Sequence, residues 1–450
     1  MQKNCDIKIG LISLGCAKNL VDSEVMLGAL TRDGMALTTE LRDADVVIVN
    51  TCGFIAAAKQ ESIDAILRAN ELRRTGRCRA LLMTGCMPQR YPKELQAELP
   101  EVDAFVGLNE VPRITGIVRE ILSRGNGFQP RPVGVENPSP IYHSGAAKYV
   151  LDASAPRLRL TPSHYAYVKI AEGCNHPCTF CSIPRIRGAH RSRPMSDVLA
   201  EVRALVADGV KEINLISQDT TFYGKDIGAS LPVLLREIEK IGGDFWVRLL
   251  YTHPAHWTDE LIATMASCRK VCRYVDIPLQ HINDAMLAAM RRETDGKFIR
   301  DLMFRLCSGL PGVAIRTAFI VGFPGESEKQ FAELVKFIRE AKFARLGVFA
   351  YSQEDGTVAA KLPGQISSRV RQERRGRAMA AQQAVSRELL RAMVGKTMRV
   401  LMDREGEGRS YLDAPEIDGK VFVRGAARVG EFVNVRITGA KEYDLKGEVA

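Results

Sequence analysis

The sequence predicts an α/β protein made of three consecutive pieces. These are an open parallel-sheet α/β domain at the N-terminus, a partial (β/α)6 barrel of the TIM type in the middle, and a small antiparallel β-barrel at the C-terminus. Three observations carry this expectation. The first part alternates apolar strand patterns with helical ones, the middle repeats a strand-then-helix unit six times, and the chain from Gly395 onward consists of short alternating runs separated by glycines. The expected boundaries are 1–124 for the first domain, 125–160 for a linker, 161–378 for the partial barrel, 379–394 for a connecting helix and 395–450 for the small barrel.

Composition frames these pieces. A chain of 450 residues has room for about three domains, and 46% hydrophobic against 26% charged residues is enough to bury ordinary cores. The first residues lack a basic segment leading into an apolar one, and no apolar run approaches the roughly 18 residues of a membrane span. The sequence is therefore expected to be cytoplasmic, with no membrane partner. In such a compartment eleven cysteines point to metal binding or catalysis rather than to disulfides. The net charge of +10 is confined to the middle of the chain, because 1–124 and 395–450 each sum to zero. Part of the excess is Arg185, Arg187, Arg191 and Arg193, and part is Arg369, Arg371, Arg374, Arg375 and Arg377 at the start of a late helix. Such arginines form either a phosphate-binding surface or a solvated helix face.

In the first domain, Lys8-Ile9-Gly10-Leu11-Ile12-Ser13-Leu14 reads as a buried strand running into Gly15-Cys16, with a helix beginning near Val21. Asp45 to Thr51 leads likewise into Cys52, Ala80 to Gly85 leads into Cys86, and a fourth strand covers Val102 to Gly107. In an open parallel sheet the carboxyl ends of the strands line the ligand crevice. Cys16, Cys52 and Cys86 can therefore meet there as three ligands of a metal cluster. The alternative is three buried cysteines behaving as small hydrophobes. The stretch that follows, with Gly125, Gly127, Pro130, Pro132, Pro138 and Pro140, has linker composition.

Six strands are expected in the middle domain: Tyr165 to Ile170, Glu212 to Ser217, Trp246 to Leu250, Tyr274 to Pro278, Ile315 to Val321 and Leu346 to Tyr351. Six units are too few to close an eight-stranded barrel. After the first strand comes Cys174-Asn175-His176-Pro177-Cys178-Thr179-Phe180-Cys181. Ferredoxin clusters use a fourth cysteine and structural zinc sites close with four ligands. A C-x₃-C-x₂-C run thus suits a four-iron cluster with one iron open, or else a zinc knuckle completed by His176. The fifth strand ends in Gly322-Phe323-Pro324-Gly325, where glycines permit either a tight turn or close backbone approach to a ligand. In the last piece, Met398 to Met402, Gly419 to Val423 and Phe432 to Ile437 alternate as strands of a barrel of about five strands, and Asp413, Glu416 and Asp418 give it an acidic edge suited to a basic protein.

The cysteine run and the glycine turn resemble those of radical S-adenosylmethionine (SAM) enzymes. With the three-cysteine domain before them and a TRAM-type, OB-like barrel after them, nearly the whole chain resembles the radical SAM methylthiotransferase family. Within it, Ser13-Leu14-Gly15-Cys16-Ala17-Lys18-Asn19 with Val21-Asp22-Ser23-Glu24, Ser217-Gln218-Asp219-Thr220-Thr221 and Asp413-Ala414-Pro415-Glu416-Ile417-Asp418-Gly419 are similar to the branch that acts on an aspartate of protein S12 of the small ribosomal subunit. The resemblance implies two [4Fe-4S] clusters. One, on Cys174, Cys178 and Cys181, binds SAM and cleaves it to a radical. The other, on Cys16, Cys52 and Cys86, carries the sulfur.

It further implies that Phe180, Gly322 and Gly325 lie against the adenine of SAM and that Gln218 and Asp219 hold its methionine end, although the family's common Gly-Glu pair is absent. Catalysis then rests on cluster and radical rather than on a side chain. An electron donor such as a flavodoxin or ferredoxin and a sulfur donor are implied partners. The tRNA-modifying branch is the alternative within the family, and a non-catalytic iron-sulfur RNA-binding sensor is the alternative outside it. Cys5, Cys78, Cys268, Cys272 and Cys307 have no expected role.

Overall fold

The run Val46–Thr51 is buried along its whole length, as is Ala80–Gly85. Strands this apolar need cover on both faces, which is the condition of the central strands of a parallel sheet. A computed structural model describes residues 7–124, 141–143 and 145–450 of the chain. It folds as two compact units: one runs up to Leu160 and adds Glu172–Asn175 and Ser182–Arg191, and the other holds Thr161–Ala171, His176–Cys181 and Ser192–Ala450.

The first unit is a six-stranded sheet in the order Ala36–Leu37, Lys8–Ser13, Val46–Thr51, Ala80–Gly85, Ala104–Val106, Ile141–His143, and every pair is parallel. The chain order along the sheet is therefore 2-1-3-4-5-6, with its topological switch between the strands Lys8–Ser13 and Val46–Thr51. All four expected strands are present. Ala36–Leu37 is added because a two-residue edge leaves no periodic signature. Ile141–His143 is added from within the expected linker, of which 125–140 lie outside the described residues. Two buried carboxylates of this unit are matched: Asp103 pairs with Arg73 and accepts the Leu81 N–H at 2.7 Å, and Asp45 accepts the Lys8 N–H at 2.8 Å.

In the second unit the six expected barrel strands occur as Tyr165–Lys169, Glu212–Ile216, Trp246–Leu249, Tyr274–Asp276, Ala314–Val321 and Arg345–Ala350. They pair in parallel as two groups of three, and Val247 of the first group bridges to Val271, three residues ahead of the strand Tyr274–Asp276 of the second. Helices between the strands start at side-chain caps: Ser230, Thr258, Asn283 and Asp295 each accept a backbone N–H three residues on, and Ser327 with Gln330 forms a full capping box. The helix Ser368–Arg391 runs unbroken through the boundary expected at 378. Two of its arginines brace the barrel, Arg371 donating to the Tyr351 carbonyl at 2.9 Å and Arg374 pairing with Glu326 at 2.7 Å, while Arg369, Arg375 and Arg377 are exposed.

The small barrel is closed by five strands in the order Thr397–Arg404, Glu407–Ser410, Val421–Arg424, Leu445–Val449, Phe432–Ala440. One pair, Val421–Arg424 with Leu445–Val449, is parallel, where an entirely antiparallel barrel was expected. The residues of the expected acidic edge have partners within this unit. Asp413 pairs with Arg345, the first residue of the sixth barrel strand. Asp418 accepts the Tyr274 hydroxyl at 2.6 Å and Glu416 accepts that of Tyr165 at 3.0 Å. Glu212, the first residue of the second strand, is fully buried between Arg248 at 2.7 Å and Arg409 at 2.6 Å. The small barrel is thus tied to the N-terminal ends of the barrel strands through Asp413, Asp418 and Glu416, of which Asp413 is buried and Glu416 exposed. No helix among the described residues is long and apolar enough to cross a membrane.

Candidate functional site

In the first unit Cys52 and Cys86 follow directly on strands of the switch-point trio and Cys16 comes three residues after the end of the other, so the sheet delivers three sulfurs to one edge. Two glycines make this possible. Gly15 has φ +92°, and a Cβ there would lie 2.8 Å from the Cys52 Cβ. Gly85 has φ +96°, and a Cβ there would run into the Thr51 carbonyl at 2.7 Å. Behind the sulfurs lies a buried polar knot. Asn19 Nδ2 donates to the carbonyls of Leu14 (3.1 Å) and Thr51 (2.9 Å), and Asn50 Nδ2 donates to the Asn19 carbonyl (2.8 Å) and the Ser23 hydroxyl (2.8 Å). Asn19, Ser23 and Asn50 are completely buried, which explains why polar residues interrupt an otherwise apolar strand and helix here.

The three thiols feel one another. Burial pushes Cys52 up, and the charge of Cys16 adds to it. Burial pushes Cys86 up to about 12, with Cys16 and Cys52 adding to the rise and Arg187 opposing it. At Cys16, crowding by protein also acts upward, but Lys18, Arg187 and neighbouring backbone N–H groups outweigh it and hold the thiol below its ordinary value. Three soft sulfur donors converge on a rim where their joint ionisation needs more positive charge than the protein itself supplies. That donor set fits an iron-sulfur cluster with one iron left open. Arg187, which no sequence motif had singled out as a site residue, donates to Asn19 Oδ1 at 2.6 Å, Asp22 at 3.1 Å, Glu172 at 2.9 Å and the Cys86 sulfur at 3.4 Å. The arginines after the cysteine run are thus not a surface patch: Arg187 and Arg193 are buried.

Cys174 belongs to the first unit and donates its N–H to the Gly188 carbonyl at 3.0 Å. Cys178 and Cys181 belong to the second, in a turn where the Cys181 N–H meets the Cys178 carbonyl at 3.2 Å. Thr179 anchors that turn on the carbonyls of Met290 (backbone N–H, 3.1 Å) and Ala289 (hydroxyl, 2.9 Å), and Arg292 donates to the Cys178 sulfur at 3.4 Å. Phe180 packs on an apolar group containing Met286, Met290, Phe323 and Tyr351. At the end of the fifth strand Gly322 has φ +72°, and a Cβ there would lie 2.4 Å from Arg371 Cγ, so this glycine is required by packing. Gly325, φ +81°, faces open space. The Glu326 carboxylate braces the turn through Gly322 N–H, His281 (3.2 Å) and Arg374 (2.7 Å).

Gln218 is half-buried and Asp219 buried just past the second barrel strand. Asp219 is not a free carboxylate for a ligand. Its Oδ1 accepts the backbone N–H (2.9 Å) and hydroxyl (2.5 Å) of Thr221, and its Oδ2 shares His176 (2.8 Å) and His256 (2.7 Å). Burial acts to raise its pKa, but the hydrogen bonds from His176 and His256 win and hold it far below the carboxylate range. His253 stacks on His176 with ring centroids 3.7 Å apart, and burial, with Arg292 beside it, keeps its ring neutral. His253 and His256 were missed from sequence; their signal is the segment Thr252-His253-Pro254-Ala255-His256 placed directly after the third barrel strand. Both nitrogens of His176 are taken, by Asp219 and Glu293, which removes it as the fourth ligand of a zinc knuckle. Cys78, Cys268 and Cys272 are buried packing residues, Cys307 is exposed, and Cys5 lies outside the described residues.

Residues 8–107 match the family model described as Uncharacterized protein family UPF0004, 168–338 match the Radical SAM superfamily and 394–450 match the TRAM domain. The chain is similar along its length to proteins named ribosomal protein uS12 methylthiotransferase RimO. It is 53% identical to that of Opitutus terrae, with 98% of this chain and 96% of the relative covered. It is 48% identical to that of Geobacter sulfurreducens, with 99% of each covered, and 48% identical to that of Akkermansia muciniphila, with 98% and 100% covered. Among solved structures, the radical SAM methyltransferase TsrM of Kitasatospora setae superposes with a TM-score of 0.54 at 15% identity over 77% of this chain and 75% of that one. The cobalamin-dependent SAM radical enzyme OxsB superposes at 0.51 with 12% identity, over 79% and 54%. These two are likenesses of fold.

Proposed function

The chain belongs to the RimO family of ribosomal protein uS12 methylthiotransferases, and from that premise we propose that it adds a methylthio group to the β-carbon of an aspartate in uS12 by a radical SAM mechanism. The observation that supports it best is the convergence of Cys16, Cys52 and Cys86 at the switch point, in a chain that carries a second three-cysteine run, Cys174, Cys178 and Cys181. Cys174, Cys178 and Cys181 would hold the SAM-binding [4Fe-4S] cluster, and Cys16, Cys52 and Cys86 the sulfur-carrying one. When bound, these groups supply the electron that cleaves SAM and the sulfur that is transferred. That chemistry suits a substrate position where no side-chain base competes, since the β-hydrogens beside a carboxylate are very weakly acidic.

The chain's own residues hold and shield. Arg292 places a guanidinium on the Cys178 sulfur. Asp219 fixes two imidazoles instead of gripping the cofactor. Phe180 offers an apolar face for the adenine, with Gly325 leaving room beside it, while Gln218 faces the methionine end. Reduction by a flavodoxin or ferredoxin, a separate sulfur donor and a cytoplasmic site of action complete the proposal. Mass spectrometry of uS12 from cells lacking the gene tests it. The protein should be lighter by one methylthio group and should regain it when the gene is restored. An unchanged uS12 mass together with loss of a methylthio group from tRNA would transfer the assignment to the tRNA-modifying branch.

A further inference from the structure

Arg187 is among the largest fully buried side chains of the molecule, and its guanidinium touches a proposed cluster ligand. It closes the short helix Ile183–Arg187, within the same unit as Cys16, Cys52 and Cys86. Its neighbours settle how it acts. Because Asn19 Nδ2 is committed to two carbonyls, its Oδ1 must face Arg187 and Cys86. An acceptor oxygen suits the Cys86 thiol but repels a thiolate. Once Cys86 is deprotonated on iron, Arg187 is the partner that still donates to its sulfur. Asp22 accepts from the same terminal nitrogen of the guanidinium, Nη2, and Glu172 accepts from the other, Nη1. A lysine carries the charge but cannot span four acceptors from one position.

We infer that Arg187 is a positioning residue that acts through the Cys86 sulfur to set the reduction potential of the cluster held by Cys16, Cys52 and Cys86. The inference rests on the reading that these cysteines hold such a cluster. Reduction adds a negative charge to the cluster, and cluster potentials follow net charge and hydrogen bonds to sulfur. A buried cation donating to a ligand sulfur stabilises the reduced form more than the oxidised one, with little solvent screening. Asp22 offsets part of that field. The two residues should therefore move the potential in opposite directions, which a purely structural role would not do.

The test uses full-length protein with Cys174, Cys178 and Cys181 replaced by Ala, reconstituted anaerobically so that one cluster remains, and an EPR-monitored potentiometric measurement. Arg187→Gln should lower the midpoint enough to change the oxidised-to-reduced ratio at the parental midpoint at least tenfold, about 59 mV for a one-electron couple. Arg187→Lys should fall between it and the parent, and Asp22→Asn should shift the midpoint upward. Unchanged midpoints in the iron-retaining Arg187 variants overturn the proposal. If Arg187→Gln holds no cluster, Asp22→Asn decides alone, and the absence of an upward shift overturns it. A parental protein that binds no iron sinks the cluster assignment itself, whereas a normal parental cluster with insensitive variants sinks only the role of Arg187.

Discussion

Single residues at the two cysteine sites separate chemistry from architecture. Cys178→Ala removes a thiolate of the proposed radical cluster while leaving the Thr179 anchors on Met290 and Ala289 in place. Release of 5′-deoxyadenosine from SAM should therefore vanish while iron bound by the first unit persists. Cleavage at the parental rate would refute the assignment. His253 carries a second expectation, this time on pH. Its folded pKa lies below the unfolded value of about 6.5, so the unfolded chain binds the extra proton and stability is lost as pH falls through that value. The slope from this group reaches at most about 1.4 kcal/mol per pH unit. His253→Gln should flatten the stability profile between pH 6.5 and 5 in denaturant titrations, and an unaltered slope would place the acid sensitivity elsewhere. Asp219 adds nothing in that window. Its folded pKa is depressed, so its contribution is complete above about pH 4 and is lost only in stronger acid.

At the level of elements, the cysteines at strand ends are a topological device: any strand of a parallel sheet can present a ligand at the same edge, whatever the sequence separation. Cys52→Ala should thus lower iron from about eight to about four per chain, on the premise of two four-iron clusters. It should spare SAM cleavage and abolish methylthiolation of uS12. Full iron retention would remove the second cluster. This edge was legible from sequence because Val46–Thr51 and Ala80–Gly85 begin as apolar runs and end immediately before Cys52 and Cys86. Other parts were hidden for identifiable reasons. Ala36–Leu37 is too short to show a period, and Ile141–His143 follows Pro138 and Pro140. Asn19, Asp22 and Arg187 look like solvated helix residues until the fold buries them together. Gly322 and Gly325 are adjacent in motif yet differ in cause, since only the first is enforced by a neighbour, Arg371. Sequence marks which residues end an element; it is blind to polar partners far away in the chain, such as Asp219 with His256.

Across the whole second unit, the small C-terminal barrel and the partial barrel share one electrostatic seam, and that seam explains why acidic residues of the small barrel misled the sequence reading. Carboxylates on an isolated strand pattern look like a solvent face, but Asp413, Glu416 and Asp418 are matched to Arg345, Tyr165 and Tyr274 at the starting ends of the barrel strands. The residues of the proposed SAM site, such as Cys174 and Gly322, follow the other ends of those strands, so the seam is a structural joint. Its centre is Glu212, whose pKa burial would raise but which Arg409 and Arg248 hold below the ordinary range. Glu212→Gln keeps the shape and removes the charge, leaving two guanidiniums buried with half their compensation. Breaking a buried pair in this way costs about 3–5 kcal/mol. The expected result is a denaturation midpoint shifted by that amount and proteolysis that releases the segment beyond Arg391, with little relief from added salt because the site is shielded. Asp413→Lys should act in the same direction, placing a second cation against Arg345. If instead both variants melt like the parent and lose only their affinity for uS12, these carboxylates belong to a docking face and the seam is incidental.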